Sequence, residues 1–201
     1  MIFRAISFAA AAHSGQYRKG TPVPYIVHPL NVGRLLIEAG ADETVAVAGV
    51  LHDTLEDAGV TLDKIRETFG DEVAALVAGV SEPPKSEVSW EGRKREIIRR
   101  MADAAPGVLL VEAADKLDNL TSIAADQRRV GSEVWARFNR PRESQHWFYE
   151  QMAQALRGRA GVPGLEALSR QLAEAVRAVF GPGPAPGESK KQKVKNMAED
   201  R

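Results

Sequence analysis

Apolar residues recur along this chain at three- and four-residue intervals, and few segments alternate strictly between apolar and polar, so α-helix is the predicted element nearly throughout. Ala, Leu, Glu and Arg, all good helix formers, dominate the periodic stretches. The pattern predicts a first helix over 2–13, ended by Ser14-Gly15, and then a loop over 16–27 holding Gly20, Pro22 and Pro24. A second helix runs from Pro29 to about Ala39 and stops at Gly40. A third begins near Asp42, a plausible N-cap, and reaches almost to Gly59. Thr61 is expected to cap a short helix through Phe69, and Asp71 another through Val80. A loop follows over 81–89 with Pro83-Pro84, then a helix from Glu91 to Ala104, broken by Pro106-Gly107. Val108 to about Ala125, a helix-rich stretch from Ser132 to Leu156 with a break at Pro141, and Leu165 to Phe180 complete the series. Residues 1–180 read as one domain. Residues 181–201 are Gly/Pro-rich and then charged, a composition expected to stay disordered.

The third predicted helix carries the chain's most unusual polar group. Within AVAGVLHDTLEDAG an apolar run leads into His52-Asp53, followed by Glu56-Asp57. On a continuous helix, His52 and Glu56 stand one turn apart, as do Asp53 and Asp57. Imidazole beside carboxylate suits a divalent ion that prefers mixed N/O donors, such as Mn²⁺, Fe²⁺ or Zn²⁺. The two further acids are left over to orient or deprotonate a metal-bound water. Two other polar residues also follow apolar segments: His28 in PYIVHPL, and Asp115 in VLLVEAADKLDNL, with Asp118 and Asn119 further along the same face. Burying such groups singly costs several kcal/mol, so a shared ion that joins His28, His52, Asp53 and Asp115 is the economical explanation.

Composition narrows the class. The chain has 201 residues, 27 Lys plus Arg against 27 Asp plus Glu, and no Cys. A formal charge of zero gives no global signal for nucleic acid or an anionic membrane. The absence of Cys removes disulfides, zinc knuckles and thiol nucleophiles together. No apolar stretch is long enough to span a bilayer, and the N-terminal run carries Arg4, so a cytoplasmic protein is expected.

The segments AAHSGQYRKGTPVPYIVHPLNVGRLL, AGVLHDTLED, FGDEVAALVAGV and ADKLDNL strongly resemble the hydrolase domain of RelA/SpoT-type alarmone enzymes, and more closely the stand-alone small alarmone hydrolases. The likeness runs from about Ala5 to Leu156. It implies an all-α HD-domain helical bundle that removes the 3′-pyrophosphate of (p)ppGpp. It also implies that His28, His52, Asp53 and Asp115 bind Mn²⁺, with Glu56 and Asp57 positioning and activating the attacking water. Arg18 and Lys19 match the basic pair near the substrate's phosphates and base, and Asn119 matches a contact to the nucleotide sugar. Lys94 and Arg142 are further candidates for phosphate contacts. Tyr25 either stacks on a base or fills the core. The family often has His or Tyr at the position of Asp118 and Arg at that of Thr121, a departure that brings an adenosine alarmone, (p)ppApp, into view as substrate. The expected partner is a small nucleotide, and a homo-oligomer is compatible with the sequence. Two other readings stand beside this one: another HD phosphohydrolase, such as a nucleotidase or NADPH phosphatase, and a nucleotide-binding module without turnover.

Overall fold

The computed structural model describes residues 1–83, 86–159 and 161–181. These form helices α1 (Ile2–Ala12), α2 (Val27–Glu38), α3 (Glu43–Leu51), α4 (Thr54–Asp57), α5 (Leu62–Phe69), α6 (Asp71–Val80), α7 (Trp90–Arg100), α8 (Pro106–Val130), α9 (Arg142–Arg157) and α10 (Leu165–Phe180). A 3₁₀ segment, Gly131–Arg137, links α8 towards α9. The fold is all-α, as expected, and the described residues contain no strand, only an isolated bridge between Tyr17 and Pro24. The predicted disordered tail lies outside the described residues.

The 25-residue α8 is the axis on which α2, α3, α6, α9 and α10 pack. Its stretch from Val108 to Asp118 is buried on all sides. So is α3 from Val45 to Leu51, which makes α3 an internal rather than an amphipathic helix. Close approach of α2 to α3 depends on two glycines. A Cβ on Gly33 would lie 2.7 Å from Val50 Cγ2, and one on Gly49 would collide with Leu36 Cδ1. Such overpacking costs about 1–3 kcal/mol.

Several boundaries differ from the expected ones for local reasons. Pro106 opens α8 instead of merely breaking the preceding helix, because the first helical position needs no N–H. Asp71 is the first residue of α6 and not its cap; Gly70, at φ 93°, makes that turn. The caps at Asp42 and Thr61 are present, accepting from Val45 N and Lys64 N. The important correction concerns the His52–Asp57 group, which does not ride on one continuous helix. α3 stops at Leu51 and α4 begins at Thr54, with His52 and Asp53 in the turn between. Side chains supply the bonds of that turn: His52 Nδ1 donates to Gly49 O (2.8 Å) and Thr54 Oγ1 to Leu51 O (2.7 Å).

Candidate functional site

Three elements bring polar atoms to one buried pit. His28 projects from the first turn of α2, His52 and Asp53 from the α3–α4 turn, and Asp115 from the middle of α8. The Nε2 atom of His28 lies 3.4 Å from Asp53 Oδ2 and 3.2 Å from Asp115 Oδ1. That of His52 lies 3.0 Å and 3.7 Å from the same two oxygens. Two donors each about 2.1 Å from one ion stand about 3.0 Å apart at a right angle and about 3.4 Å apart at the tetrahedral angle. Three of the four separations fall in this range and the fourth, His52 Nε2 to Asp115 Oδ1, is wider at 3.7 Å; His28, His52 and Asp53 each offer a ligand atom within 4.8 Å of the others.

Both imidazoles are fixed from behind. His28 Nδ1 is 2.7 Å from Asp118 Oδ2, and His52 Nδ1 is bonded to the Gly49 carbonyl. An acceptor at Nδ1 places the proton there and leaves Nε2 as a lone pair facing the pit, the arrangement a metal ligand needs. His52 Nε2 is buried and makes no hydrogen bond. A polar atom in that condition is costly unless something else satisfies it. Tyr25 donates its hydroxyl to Asp53 Oδ2 (2.5 Å), and Asn119 Nδ2 donates to Asp115 Oδ1 (2.5 Å), so the two carboxylates are also held in place.

Charge favours a cation here. Burial opposes a proton on His28, but the carboxylates of Asp115, Asp118 and Asp53 outweigh it and push the pKa up to about 9. His52 is raised well above its usual range in the same way, by Asp53 and Asp115 against burial. Burial works against the charge on Asp53 and Asp115 as well. The imidazoles reverse this at Asp53, and Lys116 with the imidazoles at Asp115, so both stay ionised. The pit thus demands positive charge, which a divalent ion meets with better geometry than two imidazolium rings turned towards one another. The residues fit a metal ion.

A cleft of about 390 Å³ opens over the pit. Glu56 and Asp57 border it, with Lys19, Lys94 and Arg140 on its walls and Phe138, Phe148 and Tyr149 as apolar surface. Glu56 Oε1 accepts from the backbone N–H of Glu82 (2.8 Å). Burial raises its pKa, that N–H lowers it, and repulsion from Glu82 and Asp53 raises it again, giving about 7. Glu82 also holds Lys94 Nζ at 2.5 Å and Arg93 Nε at 3.1 Å, and so arranges the cationic wall. Lys116 is buried, its ammonium 2.5 Å from Asp115 Oδ2 and 3.0 Å from Glu112 Oε2.

The structure also places the other predicted residues. Lys19 donates to Asn139 Oδ1 (3.0 Å) at the cleft wall. Arg18 donates to Asn119 Oδ1 (3.0 Å) and faces a neighbouring hollow of about 260 Å³, which is bordered by His28, Val23, Asn31, Thr121 and Ser122. Asn119 therefore bridges Arg18 and Asp115. Tyr25 borders the cleft with its ring beside His28 and His13, and its hydroxyl bonded to Asp53 makes it a brace. Arg142 is not at the site. Its guanidinium donates to Phe180 O (2.8 Å) and lies over the Trp135 and Phe180 rings, tying α9 to the end of α10. Asp118, read from the sequence as part of the nucleotide's surroundings, turns its carboxylate onto His28. Thr121 bonds its own helix at Leu117 O (2.8 Å). Glu82, Gln145 and Tyr149 were not anticipated. Glu82 had a signal in sequence, an acid two residues past the apolar run of α6, whereas the other two are ordinary core positions of α9.

A family model described as HD domain matches residues 5–143. A guanosine-3′,5′-bis(diphosphate) 3′-pyrophosphohydrolase of Aquifex aeolicus is 42% identical over 125 residues, covering 61% of this chain. The chain spans only 18% of that relative's length, and 16% of a probable GTP pyrophosphokinase of Mycobacterium leprae. The human guanosine-3′,5′-bis(diphosphate) 3′-pyrophosphohydrolase MESH1 is 38% identical over 185 residues, covering 89% of this chain and 92% of the human protein. Among solved structures, a metazoan orthologue of SpoT that hydrolyses ppGpp superposes with a TM-score of 0.72 at 28% identity, covering 90% of this chain and 96% of that one. The lmo0812 protein of Listeria monocytogenes gives 0.71 at 37% identity, covering 77% and 99%.

Proposed function

The chain belongs to the HD domain family, in its RelA/SpoT-type hydrolase branch, and from that premise we propose that it removes the 3′-pyrophosphate of a nucleotide alarmone, (p)ppGpp or (p)ppApp, with Mn²⁺ held by His28, His52, Asp53 and Asp115. One observation carries this reading: both imidazoles keep their protons at Nδ1, on Asp118 and on Gly49, and turn Nε2 onto the same two aspartates. A bound divalent ion supplies Lewis acidity towards phosphoryl oxygens and acidifies water. Two imidazoles with two carboxylates suit Mn²⁺, and also Fe²⁺ or Zn²⁺.

The chain's own residues do the rest. A water oxygen attacks the phosphorus joined to the ribose 3′ oxygen. The 3′ O–P bond breaks, pyrophosphate departs carrying the new oxygen, and the ribose keeps a 3′ hydroxyl. Glu56 is assigned as the base that takes the water's proton, since a carboxyl poised at about 7 exchanges protons readily near neutral pH. Asp57, beside it at the cleft, orients the water. Lys94, Lys19 and Arg140 meet the charge gathering on the pyrophosphate. Arg18 and Asn119 separate the cleft from the 260 Å³ hollow, whose size and mixed polar and apolar border suit a purine nucleoside.

The test offers purified protein with Mn²⁺ the substrates ppGpp, pppApp and NADPH. Pyrophosphate released from a 3′-substituted alarmone, and lost in Glu56→Gln with metal content retained, supports the proposal. Orthophosphate from NADPH alone would replace it with a different phosphohydrolase. Nucleotide binding without any release would leave a binding module.

A further inference from the structure

The two acids beside the cleft stand on a helix too short to hold itself. α4 is a single turn, Thr54–Asp57, and one turn closes too few backbone bonds to be stable alone in water. Locally, Asp57 N donates to Asp53 O (3.0 Å) and Val60 N to Thr54 O (3.2 Å). Glu56 and Asp57 therefore take their positions from what grips this turn from outside. One grip is the backbone N–H of Glu82 on Glu56 Oε1 (2.8 Å).

Two others come from the segment between α1 and α2. Tyr25 donates its hydroxyl to Asp53 Oδ2 (2.5 Å), at the start of α4. At the other end, Gln16 Nε2 donates to the backbone carbonyl of Asp57 (2.7 Å), one of those that a helix end leaves without an internal partner. A carbonyl only accepts, so the Gln16 atom facing it is the amide nitrogen, and Oε1 is left facing His13 Nδ1 at 2.8 Å. His13 must then donate from Nδ1. Its Nε2 is buried with no hydrogen-bond partner, so a proton placed there would have no acceptor, which agrees with that tautomer. The ring is 3% exposed and lies 4.9 Å from that of Tyr25, whose own backbone N–H donates to Gln16 O (2.9 Å). His13, Gln16 and Tyr25 thus brace one another while two of them hold opposite ends of α4.

We propose that Gln16 is a positioning residue, which holds the Asp57 end of α4 and with it the carboxylates of Glu56 and Asp57, and that His13 acts behind it by fixing the amide's orientation. Neither His13 nor Gln16 is among the described residues that border the cleft or the neighbouring hollow, so both act through α4 and not on the substrate. Only the kinetic consequence rests on the hydrolytic reading; the grip on α4 can be measured without it.

Hydrogen exchange of the full chain in chelator reads that grip. In Gln16→Glu a carboxylate faces the Asp57 carbonyl, and the amides of Asp57 and Val60 should exchange at least tenfold faster than in the parent, while those of α8 keep the parent rate. With Mn²⁺ and ppGpp the same variant should lose at least tenfold in kcat, with KM and Mn²⁺ affinity within twofold. His13→Leu should follow it in both readouts. His13→Asn, whose amide nitrogen stands at nearly the position of Nδ1, should keep at least half of the parent kcat. The double variant His13→Leu/Gln16→Glu should be no slower than Gln16→Glu, since the two residues act in series. Unchanged exchange at Asp57 and Val60 overturns the proposal. So does a raised KM with kcat retained, which would make Gln16 a support for Arg18 and Lys19 instead. A parent without alarmone turnover overturns the function proposed above, and exchange alone then decides whether Gln16 holds α4.

Discussion

Asp118→Ala tests how the ion is held. The carboxylate contacts His28 Nδ1 at 2.7 Å, and across the ring and one coordination bond it sits roughly 7 Å from an ion on Nε2. At an effective dielectric constant of about 20, opposite charges of one and two units attract at that distance by about 5 kcal/mol. Most of this cancels. A proton competing for His28 feels the same pull, and Arg18 Nη2, 4.0 Å from Asp118 Oδ2, already offsets part of the charge. What remains should match the tenfold to hundredfold loss of metal affinity usual for a carboxylate behind a ligating imidazole, about 1.4–2.8 kcal/mol. Asp118→Asn keeps an acceptor for Nδ1–H and loses only the charge, so it should fall between alanine and the parent. The assay is a Mn²⁺ titration in a free-metal buffer, with thermal melts in chelator to confirm folding. An alanine variant that folds and binds Mn²⁺ like the parent would refute the chain of reasoning from Asp118 through His28 to the ion.

Glu56 gives a pH signature that does not require turnover. Its folded pKa is about 7 against a usual 4.5, so the folded state holds the proton more tightly. Its contribution to stability is complete below about 4.5 and disappears as pH rises through 7, a penalty of up to about 3 kcal/mol. In chelator, Glu56→Gln should therefore melt higher than the parent at pH 8 and close to it at pH 5; equal shifts at both would contradict the assignment. Arg142→Leu should cost about 1–2 kcal/mol of stability through the lost bond to Phe180 O, measured by denaturant midpoint, yet leave kcat/KM unchanged. A large fall in kcat/KM would return Arg142 to the substrate.

The helical fold was legible because its signal is local. Three- and four-residue spacing, the Asp42 and Thr61 caps and the Gly40 stop are all written within one turn of the boundary they set. Four of the pit's residues were legible too, since His28, His52, Asp53 and Asp115 each interrupt an apolar run where a polar atom needs a reason. The turn at His52–Asp53 was not, because its residues keep helical spacing and the interruption arises from side chains bonding the backbone. The bond from Asp118 to His28 was not legible for a related reason, although Asp118 does border the hollow beside the cleft. Its partner His28 is ninety residues away, and nothing on the face of α8 shows that the carboxylate turns towards α2. Arg142 was drawn to the substrate by neighbouring arginines, while its actual partner is the last carbonyl of a helix 38 residues on.

The carbonyl that orients His52 belongs to Gly49, the residue that lets α3 press against Leu36. The spacing of two tightly fitted helices would thereby set the coordination distances of an ion held there. A seam packed this closely should favour some ionic radii over others. Conservative changes at the α2–α3 seam, far from any nucleotide, should shift the preference among Mn²⁺, Fe²⁺ and Zn²⁺ before they disturb folding.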